Sequence, residues 1–354
     1  MTARSREVAT PDAAAEAAAR ERQAQLTKPP GALGRLEELA CWLAGRLHNP
    51  IPEMPRCEIF VFAADHGVAA RGVSAFPQAV TAGMLENFAR GGAAINVLAS
   101  VAGCRIEVVD VGVASNESPP AGIRNERIRP GSRDLVESAA LTPEEAQAAL
   151  AVGTRCAREA VERGAQLLIA GEMGIANTTS AACLICELTG ALPARVVGRG
   201  TGVDDAGLER KLAAVEAALR RTRQETQRTA IGTLAELGGF EIAAMAGFYI
   251  EAARCGVPVL LDGYISGAAA LSAVAIEPAT LPWMLASHCS AESGHAVALA
   301  ALQLEPLIRL GLRLGEGSGA ALTLPIIRAA LALHRGMATF AEAAIPGRLG
   351  GDPA

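Results

Sequence analysis

The stretch Glu58-Ile59-Phe60-Val61-Phe62-Ala63-Ala64-Asp65-His66-Gly67 runs from β-rich apolar residues straight into an acid, a histidine and a glycine. An apolar run of this length bounded by turn residues is the pattern of a strand buried on both faces. Similar runs follow at Ile106–Val111, Gln166–Ala170, Ala194–Val197 and Val257–Leu261, separated by helical stretches near 78–100, 143–163, 177–189, 206–228 and 240–254. This alternation predicts an α/β fold: a Rossmann-like domain with a parallel sheet covered by helices on both faces. Residues 1–48 read as helices interrupted by Thr27-Lys28-Pro29-Pro30-Gly31, and helical patterns return from 291 onward. The expected organisation is therefore N-terminal helices over 1–48, an α/β core over 49–290 and C-terminal helices over 291–354. The two ends are expected to form one small helical domain. Asn116–Arg133, rich in Pro, Gly and charge, is expected as an exposed loop, and the residues after Pro346 as a frayed end.

Composition narrows the function classes. Apolar residues make up 51% of the 354 and charged residues 19%, enough to order most of the chain. The net charge of −5, without a basic tract, argues against a nucleic-acid partner. No stretch reaches the ~18 uninterrupted apolar residues of a membrane span, and the N-terminus lacks the apolar region of a secretory signal. A cytoplasmic protein is expected. The eight scattered cysteines fit small buried residues in a reducing compartment. Cys183 and Cys186 share one face of an apolar helical pattern, and no second pair follows to complete a metal site.

In open parallel sheets ligands gather beyond the C-terminal strand ends. Five turns there combine glycine with a polar group: Asp65-His66-Gly67, Asp110-Val111-Gly112, Gly171-Glu172-Met173-Gly174, Gly198-Arg199-Gly200-Thr201-Gly202 and Asp262-Gly263-Tyr264. Their recurrence suggests a shared pocket for a polar ligand. Two of them suit a phosphate. Gly171–Thr179 leads from a strand into a helix and offers backbone N–H groups and hydroxyls at Gly174, Asn177 and Thr178. The loop holding Gly200 and Gly202 is followed by Lys211 as a cation. Simple caps are the competing reading, and neither turn has the glycine spacing of a Walker loop or a dinucleotide fingerprint.

His288, Glu292 and His295 would mimic a metal triad on a continuous helix, but Ser290 and Gly294 mark a loop and a helix start instead. His48 and His334 sit on amphipathic helical patterns and read as structural. His66, after a strand, suits either a pocket or a structural role. No metal or cofactor is expected.

Arg313-Leu314-Gly315-Glu316-Gly317-Ser318-Gly319-Ala320-Ala321-Leu322 places one carboxylate among glycines directly before an apolar helix. Such an acid is either a helix-cap device or a base facing a pocket. Read with the other segments, Glu316 is the candidate catalytic base.

The runs Leu26–Glu37, Ala64-Asp65-His66-Gly67-Val68, Gly171–Thr179, Arg254–Gly263 and Arg313–Leu322 occur in this order. Together they closely resemble the nicotinate-nucleotide–dimethylbenzimidazole phosphoribosyltransferase (CobT) family, from about residue 20 to residue 340. The resemblance implies a homodimer that moves the 5-phosphoribosyl group of nicotinate mononucleotide to 5,6-dimethylbenzimidazole, giving α-ribazole 5′-phosphate and nicotinate, in the nucleotide-loop branch of cobalamin synthesis. It puts the catalytic base on Glu316, a second pocket carboxylate on Glu172 and the phosphate-site lysine on Lys211. Ser290 joins the expected nucleotide set, and Phe76, Met84 and Leu314 form the expected acceptor pocket.

The chemistry is consistent with these residues. The ring nitrogen bonded to ribose in the donor is a pyridinium, so breaking that bond neutralises the leaving ring without a metal. Asp204-Asp205 follow a glycine loop rather than a long apolar strand, unlike the arrangement expected of a diphosphate-donor enzyme. The acceptor loses a ring N–H proton as its other nitrogen attacks, and a carboxylate can take it. One departure concerns the acceptor. Family members are expected to carry a small hydroxyl residue before the proline of Val73–Gln78 and a glutamine about one turn onward; this chain has Phe76 before the proline and reads Thr81-Ala82-Gly83-Met84 downstream, so Phe76 and Met84 would make the base pocket more apolar. Another benzimidazole, a purine or a phenolic acceptor is therefore an alternative, as is a non-catalytic nucleotide or benzimidazole sensor.

Overall fold

In the computed structural model, residues 7–223 and 228–346 are described. Six strands form one sheet: β1 (Cys57–Ala64), β2 (Arg105–Gly112), β3 (Ile123–Asn125), β4 (Leu167–Met173), β5 (Val259–Leu261) and β6 (Met284–Ala286). All neighbours pair in parallel, in the order β3-β2-β1-β4-β5-β6. The order reverses between β1 and β4, which opens a crevice at their C-terminal ends. Every residue of β1 is buried; Glu58 is accommodated by an ion pair with Arg163 at 2.7 Å.

The helices are α1 (Ala13–Gln25), α2 (Arg35–Arg46), α3 (Ala79–Ala89), α4 (Ala94–Ala102), α5 (Pro143–Glu162), α6 (Asn177–Thr189), α7 (Pro193–Val196), α8 (Asp205–Thr222), α9 (Ala230–Leu237), α10 (Phe240–Arg254), α11 (Tyr264–Ile276), α12 (Ser293–Leu302) and α13 (Ser318–Gly336). α10 is buried along nearly its whole length and crosses α5 at backbone contact. A Cβ on Gly153 would stand 1.7 Å from the Ala244 carbonyl oxygen, and one on Gly247 would stand 2.1 Å from that of Leu150. Only glycine permits this crossing.

The chain divides into two compact units, Met1–Ala9 with Arg56–Thr323, and Thr10–Pro55 with Leu324–Ala354. The larger unit thus runs past the expected boundary at 291 and includes α12 and the Gly-Glu-Gly turn. In the smaller unit, α1 and α2 pack together with the C-terminal part of α13. Arg22 donates to the carbonyls of His334, Arg335 and Met337 at 2.9–3.3 Å, satisfying the C-terminal end of that helix. The Thr27–Glu37 motif closes on itself here: Lys28 pairs with Glu37 at 2.9 Å, and Glu37 accepts the Leu33 amide. Buried His334 bridges Gln23 and the Pro50 carbonyl, whereas His48 ends beyond α2 with an exposed ring.

Several expectations are corrected. Ala194–Val197 is no strand: Pro193 starts the one-turn α7, its fixed φ and missing N–H suiting a first helical position. The expected loop Asn116–Arg133 contains the edge strand β3, which gains parallel pairing to β2. The expected helix near 78–100 breaks into α3 and α4 around Gly91-Gly92. β6, α9 and α11 have no counterpart among the elements expected from the sequence. Fraying after Pro346, and part of the stretch 206–228, fall outside the described residues.

Candidate active site

A cavity of about 990 Å³, including its open mouth, lies in the larger unit above β4, β5 and β6. Of the expected residues, Glu172, Gly174, Asn177, Thr178, Gly200, Ser290, Phe76, Met84, Leu314 and Glu316 all line it. Lys211 and Gly202 do not. Lys211 lies directly behind the wall, and Gly202 closes its turn by donating to the Arg199 carbonyl.

Glu316 has φ +63° between Gly315 and Gly317, both at +85°. A left-handed glutamate costs about 1–2 kcal/mol that glycine would not, so a side chain kept there is a sign of function. The turn lies flat on β4. A Cβ on Gly171 would meet the Glu316 carbonyl carbon at 2.1 Å. The Glu316 amide donates to the Glu172 carbonyl, while its Oε2 accepts the Ile95 amide at the start of α4, at 3.2 Å in both cases. One carboxylate oxygen is thus fixed, and among the described residues the other takes no hydrogen bond. Burial pushes the Glu316 pKa above the ordinary carboxylate value, with the Ile95 amide opposing and Asp262 reinforcing the shift. Asp262, after β5, caps α13 by accepting the amides of Gly317 (3.2 Å) and Ala320 (3.0 Å).

Glu172 belongs to β4 itself, because the strand runs three residues further than its apolar stretch suggests. Asn177 donates to its Oε2. Burial first, then the nearby Glu241 carboxylate, push its pKa up to about 8.

At the other end, α6 begins without a side-chain cap at Ala176, itself left-handed at φ +75°. Lys211 donates to Thr178 Oγ1 at 2.7 Å and to the Gly198 carbonyl at 3.0 Å. It is 1% exposed, and burial lowers its pKa to about 8, with Glu292 opposing. An ammonium has three donors, so one remains for a ligand. Arg313 clamps the same loop by donating to the Gly200 carbonyl at 2.9 Å, and Thr201 ties it to Ser74 and Ala75. Beside it, Phe76, Val80, Met84 and Leu314 form an apolar mouth, with Phe76 51% and Leu314 58% exposed.

The structure separates the five glycine-bearing turns. Asp65 and Asp110 do not face the cavity. Asp65 accepts Thr81 Oγ1 and the Ala114 amide, and Asp110 holds Arg127 and the Val113 amide. His66 is fully buried, 2.5 Å from Glu241. His295 accepts the Ser290 amide through Nδ1, and burial holds its pKa down to about 3, so it orders the loop before α12. Cys183 and Cys186 are buried thiols with raised pKa values. The site also draws on Asp262, His288, Glu292 and Arg313, which the sequence marks only through the strand-end turn at Asp262, the rejected His288/Glu292 metal spacing and the motif that begins at Arg313.

A family model described as "Phosphoribosyltransferase" matches residues 8–345. A nicotinate-nucleotide–dimethylbenzimidazole phosphoribosyltransferase of Chromobacterium violaceum is 59% identical over 337 residues, covering 95% of this chain and 97% of that protein. The chain belongs to the nicotinate-nucleotide–dimethylbenzimidazole phosphoribosyltransferase family. A relative of the same name from Bradyrhizobium is 52% identical, covering 96% of this chain and 97% of its own length. The crystal structure of CobT from Thermus thermophilus superposes with a TM-score of 0.90 at 48% identity, covering 94% of this chain and 99% of that one.

Proposed function

We propose that this protein transfers the 5-phosphoribosyl group from nicotinate mononucleotide to 5,6-dimethylbenzimidazole, releasing nicotinate and forming α-ribazole 5′-phosphate for the cobalamin nucleotide loop. The observation that carries the reading is the strained Glu316 turn, which holds a buried carboxylate at the wall of a cavity with a cationic end and an apolar mouth. The phosphate is bound by the α6 N-terminus, Lys211, the Gly200–Gly202 loop and Ser290. The acceptor ring enters between Phe76, Met84 and Leu314.

One acceptor nitrogen attacks the anomeric carbon as the glycosidic bond breaks, and the bonding pair passes to the pyridinium nitrogen, giving neutral-ring nicotinate. Glu316 accepts the N–H proton of the other acceptor nitrogen. Its raised pKa makes it a better base than an exposed glutamate, and it is active once ionised. The apolar mouth favours shape selection and a range of benzimidazoles. The protein acts as a cytoplasmic homodimer.

The test is to incubate the protein with nicotinate mononucleotide, with and without the acceptor, and follow nicotinate and α-ribazole phosphate by chromatography. Acceptor-dependent release of both supports the transfer. Nucleotide binding without any release would show a sensor instead. Activity should survive dialysis against a strong chelator; loss restored by a divalent ion would overturn the metal-free mechanism.

A further inference from the structure

Four carboxylates, Glu172, Asp262, Glu292 and Glu316, line the cavity, against one lining cation, Arg313, with Lys211 behind the wall. A nucleotide bearing both a phosphate and a ring carboxylate would meet like charge on most sides. A buried pair beneath the floor suggests how this is relieved. Glu241, at the start of α10, is fully buried; its Oε1 is 2.5 Å from His66 Nε2, and its Oε2 has no hydrogen-bond partner. The place a Cβ would take on Gly174 is 3.1 Å from Glu241 Oε1 and 3.3 Å from Asn177 Nδ2, and that amide holds Glu172. One side-chain amide and the space of one absent methyl therefore separate two buried carboxyl groups. Like charges so placed disfavour double ionisation.

We propose that Glu172 is the neutral acid in the nucleotide complex, donating a hydrogen bond to an anionic oxygen of the ligand, and that Glu241, held by His66, is the positioning residue that keeps the proton on Glu172. The groups facing Glu172 fit this division. Glu241 and Tyr249 come from α10, Asp262 from the end of β5, Glu316 from the turn before α13, and none is a cation. Among the described residues, Asn177 supplies the one neutral donor. Around Glu241 the titratable neighbours are His66, Asp65 and Glu172. The pKa of about 8 for Glu172 is in keeping with the acid form at neutral pH. His66 Nδ1 is buried without a partner, which suits a ring whose hydrogen is on Nε2 and directed at Glu241.

The inference rests on the reading of this cavity as a mononucleotide site, and infrared difference spectroscopy of the nucleotide complex separates the two. At pH 7 the complex with nicotinate mononucleotide should show the carbonyl band of a protonated carboxyl group. That band should be absent in Glu172→Gln. It should titrate away near pH 8 or above in the wild type and about one pH unit lower in Glu241→Gln, a tenfold change in proton affinity. Should Glu241→Gln fail to fold, His66→Phe, which has no side-chain donor, must lower the same titration, since Glu241 without its donor competes for the proton. In parallel, Glu172→Gln, a fixed donor, should keep nucleotide affinity between pH 7 and 9 better than the wild type; Lys211→Arg in both backgrounds removes the lysine's own titration. Nucleotide binding with no protonated-carboxyl band, or a band indifferent to the Glu241 and His66 substitutions, would overturn the proposal alone. Failure of the nucleotide to bind at all would overturn the site reading with it.

Discussion

At the ends of β1 and β2, Asp65 and Asp110 have both oxygens satisfied by their own neighbours. At the end of β4 and on the turn lying over it, Glu172 and Glu316 each have one oxygen pinned and the other directed at a cavity. Each of the strand-end acids is followed by a glycine within two residues, and Glu316 has one on either side. What separates the two groups is the supply of donors. Arg127, the Thr81 hydroxyl and the amides of Val113 and Ala114 saturate the first pair, so those carboxylates fasten the sheet to its surroundings. The second pair is under-supplied; burial raises the pKa values of both, as it does for the fully partnered Asp65, so the free oxygens and not the shifts mark the difference. A carboxylate becomes available for chemistry where the fold withholds partners from it.

The largest effect that could break this contrast is expected at Glu316. Glu316→Gln should keep the fold and nucleotide binding but lower turnover by roughly two orders of magnitude or more, the usual scale of general-base loss; near-wild-type kcat would put the base elsewhere. Asp110→Ala should do the opposite. It leaves Arg127 without its buried partner and should cost about 3–5 kcal/mol of stability in denaturant titrations, with the folded fraction still turning over normally. A drop in kcat without a drop in stability would place Asp110 in the chemistry.

Lys211→Ala should weaken nicotinate mononucleotide about 10–100-fold, the range of a lost charged hydrogen bond, and the unphosphorylated riboside much less. Equal losses for both ligands would assign Lys211 to packing. The wild type carries a pH counterpart. Lys211 is cationic below about 8, so KM for the nucleotide should rise as pH climbs through that value. The low-pH limb should fall as Glu316 takes up its proton, at a pH above the ordinary carboxylate range. The smallest effect concerns the acceptor. A mouth of Phe76, Met84 and Leu314 reads methyl groups at about 1–3 kcal/mol each, so 5,6-dimethylbenzimidazole should exceed benzimidazole by ~10–100-fold in kcat/KM. A preference for adenine or a hydroxylated ring would reveal a polar reader in the mouth.

Local order was legible in the chain because it depends on near neighbours. Apolar runs such as Ile59–Ala64 marked strands buried on both faces, the helical stretch near 143–163 matched α5, and the Gly-Glu-Gly turn singled out Glu316 as the one acid among glycines. Less legible were elements whose stability comes from a partner. β3 and β6 are three residues each and exist through pairing with β2 and β5. The run Ala194–Val197 misleads for the opposite reason: its composition suits a strand, but the neighbouring Pro193 commits it to a helical turn.

The sequence by itself determined the parallel α/β layout and the family, and it singled out Glu316 as the candidate base, since periodicity, glycine placement and long ordered motifs are properties of the chain. Only the tertiary structure decided which strand-end acids are satisfied and which face the cavity, that Lys211 lies behind the wall bonded to Thr178, and that Glu241 lies beneath Glu172 with His66. Those outcomes depend on burial and on donors brought from more than a hundred residues away, as with Ile95 for Glu316 and His66 for Glu241. A carboxylate's protonation is set by that environment, and no local pattern records it.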